Sequence, residues 1–138
     1  MKIDNDLINK QLLGFRKELS KREKKGYIFF RSSDKYLQIN EKAVDLLGNN
    51  LHGTSVKYEN RTIVFCFGTL MENRYLPFAR IGKHLFCFDT QELNKANQWD
   101  ILEYHSKYLV TLTIGSFLLN NVWAWLDKGR VIWEDESL

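Results

Sequence analysis

The periodicity of apolar residues changes abruptly at Gly26, and no other feature narrows the possible folds of this chain as much. Before it, Leu7, Ile8, Leu12, Phe15 and Leu19 recur at spacings of one, three and four, the pattern of a helix with one apolar stripe. Asp4, Asn5 and Asp6 supply capping and favourable charge at the start of that helix, and Gly26 is its stop. Gly14 costs it roughly 1 kcal/mol relative to alanine, so tertiary packing must hold it.

After Gly26 the chain becomes clusters of Tyr, Ile, Phe, Val and Thr divided by Gly, Asn, Asp and Ser, as in short strands joined by turns. The clusters predict strands over 27–31, 36–39, 55–58, 62–67, 76–80, 85–88, 101–104 and 108–114. Hairpins are expected at 59–61 and around Gly82, and Asn40 opens a short helix over 41–47. The only proline, Pro77, falls at the start of a predicted strand, where a missing donor is tolerated.

A second amphipathic helix is predicted over 116–128. Ser116 is its cap, Phe117, Leu118, Val122, Trp125 and Leu126 face inward, and Gly129 ends it. Residues 131–133 are expected to add an edge strand. The fold class is therefore α+β: an antiparallel, β-rich single domain over 1–138, with a helix over 1–25 and a core over 26–138 that carries the second helix. At 138 residues, 44% of them hydrophobic, such a domain buries enough apolar surface to fold without covalent staples.

Several functional classes find no support in the residues. Cys66 and Cys87 sit in apolar runs, VFCFG and LFCFD, where a thiol acts as a small buried hydrophobe, and they are too few for a disulfide scaffold. His52, His84 and His105 fall in different predicted elements without paired ligand spacing, so neither metal nor other cofactor is expected. Ser106 and Ser116 lack a nucleophile-elbow pattern, and Asp89 and Glu92 lack a partner pair. The chain is expected not to be an enzyme. It has no secretory signal pattern and no membrane-spanning apolar run, which points to a cytoplasmic location.

Charge is the remaining guide. The net value is +3, and Arg16, Lys17, Lys21, Arg22, Lys24 and Lys25 crowd the end of the first helix. Cations there complement the negative end of a helix dipole, and equally would meet phosphates. Arg61, Arg74, Arg80 and Lys83 fall in predicted turns, whose tips project cations as solubilising charge or as DNA contacts.

Leu37, Gln38 and Ile39, then Gly48, Asn49 and Gly53, then Phe67-Gly68-Thr69 after an apolar strand, and finally Leu109 to Ile114 before Gly115-Ser116 form an ordered set. In this order they resemble the ComK family of competence transcription factors, although the proline that follows the phenylalanine in that family is missing here. The resemblance implies a regulator binding AT-rich duplex DNA from the minor groove. Arg61, Arg74, Arg80 and Lys83 would make the contacts, Asn49 would approach a phosphate, and Lys21, Arg22, Lys24 and Lys25 would add nonspecific attraction. A two-fold homodimer would match paired recognition boxes. The segment YLPFARIGKHLFCFD, by contrast, resembles a strand pair of SUKH-type toxin-immunity proteins and implies a protein partner, a toxin, instead of DNA. An exposed aromatic cluster, such as Trp123 with Trp133, would mark a partner surface.

Overall fold

The computed structural model describes residues 5–31 and 53–130. Its first element, α1 (Asn5–Glu23), buries Ile8, Leu12, Phe15 and Leu19 along one stripe, while Leu7 stays exposed one step outside it. Seven strands follow: β1 (Ile28–Arg31), β2 (Thr54–Tyr58), β3 (Arg61–Phe65), β4 (Tyr75–Ile81), β5 (His84–Asp89), β6 (Ile101–Glu103) and β7 (Leu109–Thr111). They form one antiparallel sheet whose spatial order is the chain order. The chain ends its described part in a helical rod made of α2 (Ile114–Ser116), a π-helical turn (Phe117–Asn121) and α3 (Val122–Lys128). This is the α+β architecture expected from the change of period.

Register assigns the two faces of the sheet, because residues directly paired across antiparallel strands point the same way. Val56 opposite Ile63, Ile63 opposite Ile81, Phe65 opposite Ala79, Ala79 opposite Phe86, and Phe88 opposite Ile101 make the inner face. Both α1 and the C-terminal rod cover it, and these side chains form the main core. The outer face carries a smaller cluster of Tyr75, Cys87 and Leu102, sheltered by Met71, Leu85 and Tyr104.

Burial pushes the Cys87 thiol up to about 12, so it is an inert apolar group. Pro77 is the third residue of β4 and not its start. The register shift between Pro77 and Ala79 supplies the bulge that tolerates it within a central strand.

One expectation about the second helix is corrected and another is extended. The cap is Thr113, not Ser116: the Thr113 side chain accepts a hydrogen bond from the Ser116 backbone N–H at 3.0 Å, and β7 ends at Thr111 to let the chain turn. Trp125 does face inward, packed half-buried against the core with its indole N–H donated to the Thr62 carbonyl, and Trp123, not expected among the inward residues, is buried beside it. A π turn closes i→i+5 hydrogen bonds and so holds more residues than an α turn, rotating Trp123 onto the inner face. The strand expected over 36–39, the helix over 41–47 and the edge strand over 131–133 lie outside the described residues.

The two helices run side by side and are tied at both ends. At the start of the rod, Gln98 accepts from the Ile114 backbone N–H at 2.9 Å and Gln11 from that of Gly115 at 3.0 Å, so donors left open by helix geometry are satisfied. Gly115 makes this possible, since a Cβ there would lie 2.5 Å from the Gln11 side chain. Gly115→Ala displaces Gln11 from its acceptor role and is expected to lower stability by about 1–2 kcal/mol, read as a fall in urea midpoint. Gly14→Ala has the opposite sign. A Cβ there meets nothing within 4 Å, so the change relieves the helix penalty and is expected to raise the midpoint by about 0.5–1 kcal/mol.

Candidate interaction surface

Because the strands form a meander, their turns alternate between the two ends of the sheet. The Glu59-Asn60 turn between β2 and β3 and the Gly82-Lys83 turn between β4 and β5 therefore share one end. Both helices finish at that end too: Arg22 of α1 meets Asp127 of α3, and Arg61 of β3 donates to the carbonyl of Leu126. Turn spacing along a sheet is about 5 Å per strand, so these cations lie on one rim.

Arg22, Arg61, Arg80, Lys83, Lys21, Lys24 and Lys25 all belong to this rim. Arg74 does not. It sits in the β3–β4 connection at the opposite end, and Asn49 lies outside the described residues.

Three of the arginines have structural work that occupies their guanidinium groups. Arg74 forms a fork with Asp89, with Nε and a terminal nitrogen 2.9 and 2.8 Å from its two oxygens, and this bond holds the Asp89 carboxyl below its ordinary value. Arg61 directs Nε and a terminal nitrogen to the Leu126 carbonyl at 2.9 and 2.8 Å, closing the end of α3, with Glu59 at 3.7 Å. Gly129 completes that end in the left-handed conformation, at φ 65°.

Arg22 grips Asp127 with two nitrogens at 3.2 and 2.7 Å, pairs with Glu18, and lies 4.0 Å above the Trp123 ring. Tyr27 donates its phenolic O–H to the same Asp127. Arg22, Arg61 and Arg74, expected as DNA contacts, are thus also engaged within the chain, Arg22 and Arg74 by carboxylates and Arg61 by a backbone carbonyl, and Arg74 keeps 43% of its side chain exposed. The i,i+4 spacing of Glu18 and Arg22 announces one of these pairs, whereas Asp127 and Leu126 stand too far along the chain from their arginines for any pattern to show.

Arg80, Lys83, Lys21, Lys24 and Lys25 remain exposed, with no carboxylate partner among the described residues. Lys57 and Lys128 join them on the rim, and sequence reading missed both. Lys57 was legible as the outward residue of the alternation Val56-Lys57-Tyr58. On the outer face Lys107 caps the aromatic cluster, 3.5 Å from the Tyr104 ring centre and 4.5 Å from that of Tyr75.

The other conspicuous surface is apolar. Ile28, Phe29 and Phe30, consecutive in β1, are 56%, 38% and 45% exposed. Trp123, named above as one half of a conditional aromatic cluster, is buried against Phe15 and Tyr27, and Trp133 lies outside the described residues. Among the described residues no three His, Cys, Asp or Glu side chains converge to hold a metal, and no helix is long and apolar enough to cross a membrane. Comparison with protein-family models, curated proteins and solved structures gives no match.

Proposed function

We propose that this chain is a non-enzymatic protein-binding module of the kind the SUKH-type immunity resemblance implies, acting on a protein partner such as a toxin. One observation carries this reading: β1 presents three consecutive large apolar side chains at a strand edge, a surface that costs solubility unless a partner covers it. The segment that carries the resemblance supports it. It folds as the hairpin of β4 and β5 at the centre of the sheet, a scaffold with Cys87 and Phe86 fully buried.

The test is co-expression with toxin-like products encoded beside the gene. Growth rescue together with a stoichiometric complex by size exclusion is expected, and Phe30→Glu should abolish both. Rescue that survives Phe30→Glu would refute the role given to β1.

A second reading keeps the ComK resemblance, with AT-rich duplex DNA as the partner and a homodimer on paired boxes. The exposed rim of Lys21, Lys24, Lys25, Arg80, Lys83 and Lys128 favours it. Here binding to AT-rich duplex should exceed binding to mixed-sequence duplex, fall steeply with salt, and weaken when Arg80 and Lys83 are replaced by glutamate. Salt-insensitive or absent binding removes this alternative.

A further inference from the structure

The two edges of the sheet differ in a way that names what the open one takes. β7 is three residues long and joins β6 through a register shift, both of which blunt an edge against further pairing. β1 has neither device. Its four residues pair with β2 in unbroken register, Ile28 opposite Lys57 through Arg31 opposite Thr54, and its outer backbone groups have no strand partner among the described residues.

Alternation puts Ile28 and Phe30 on the outer face beside Lys57, and Phe29 on the inner face beside Val56. Lys24 and Lys25 stand exposed just before the strand, with Glu23 the one carboxylate on that stretch, and Lys57 is exposed next to Ile28.

Resting on the protein-binding reading, we propose that β1 takes an extended, acidic segment of the partner as an eighth strand. Main-chain hydrogen bonds to β1 supply the affinity. Ile28 and Phe30 hold the segment's apolar side chains, and Lys24, Lys25 and Lys57 meet its carboxylates. Charge selects this occupant over a second copy of the chain. Two-fold pairing of β1 with itself would set against these lysines a strand whose Ile28, Phe29 and Phe30 carry no carboxylate.

The probe is a short synthetic peptide of alternating valine and threonine with glutamates at its ends, with its lysine-ended counterpart as control, titrated into the full chain. Binding of the acidic peptide should slow amide exchange across β1, and it should weaken between about 0.01 M and about 1 M salt as screening shortens. The lysine peptide should bind at least about tenfold more weakly. Phe30→Ser should cost about tenfold while leaving the unfolding midpoint unchanged, since the side chain is half exposed.

Equal affinity for the two peptides, protection confined to the Gly82-Lys83 turn, or a concentration-dependent dimer that excludes the peptide would each overturn the proposal. If the peptide fails while Phe30→Glu still abolishes the cognate complex, strand addition is wrong and the protein-binding reading stands. If Phe30→Glu leaves the cognate complex intact, the broader reading falls as well.

Discussion

Phe117→Ala is expected to lower the unfolding free energy by about 3–5 kcal/mol, enough to remove much of the margin of about 5–15 kcal/mol on which a domain of this size stands. Phe117 is fully buried where the π turn meets the inner face. Its ring centre lies 5.2 Å from both Phe78 and Phe86, inclined at 68° and 57°, and Phe78 in turn stacks on Phe88 at 4.1 Å. Truncation leaves a hole lined by rings from two strands, which the bulged β4 and its neighbour β5 cannot close without shifting register. Urea unfolding followed by fluorescence measures the loss. Phe117→Leu, which retains most of the volume, is expected to cost less than half as much, and equal costs would show that the site is not a packing centre.

Asp127→Ala is the second large effect, expected at about 2–4 kcal/mol, because it leaves the half-buried Arg22 guanidinium and the Tyr27 hydroxyl without their shared acceptor. The same group gives the protein an acid limb. Burial alone would raise the Asp127 carboxyl, but hydrogen bonds from Arg22 and Tyr27, with the charge of Arg22, hold it below the ordinary 3.8. A depressed carboxyl contributes stability that is present above its unfolded value and is lost as pH falls through its folded value.

Asp89 acts with the same sign through Arg74. Glu103 does so because backbone N–H groups of Ser106 and His105 outweigh the effect of its burial. Urea midpoints should therefore fall below about pH 4, and Asp127→Asn should flatten that fall.

Tyr27 acts at the other end of the scale. Burial and the Asp127 carboxylate push its phenol up to about 12, so the stability it contributes is complete below 10.0 and disappears as pH rises through the higher value. A midpoint independent of pH across both ranges would contradict the clamp.

How far the fold was legible depended on whether the cause was local. The stripe Ile8, Leu12, Phe15, Leu19 and the alternation of β2 and β3 are set by period, and both were readable. Trp123 was not legible as an inward residue because a π turn breaks the period on which such reading rests. Thr113 replaced Ser116 as the cap because both residues suit the role and only the end of β7 chooses between them. The surface was harder still. An arginine in a turn looks the same whether it meets a phosphate or a carbonyl, and the groups that engage Arg22 and Arg61 lie 105 and 65 positions away. The apolar edge was visible as the run Ile28-Phe29-Phe30, but only strand order shows that nothing described pairs with its outer side.

The meander also orders events in time. Each strand joins the one made just before it, and from β2 onward the connecting segments are short, so most of the sheet can assemble as the chain is synthesised. The inner face nevertheless has only α1 to cover it until the last rod arrives with Phe117, Trp123 and Asp127, and Arg22 of α1 has no Asp127 to hold until then. Nascent chains stalled before residue 114 should therefore be the form that chaperones engage, and release should coincide with emergence of the residues that close the clamp.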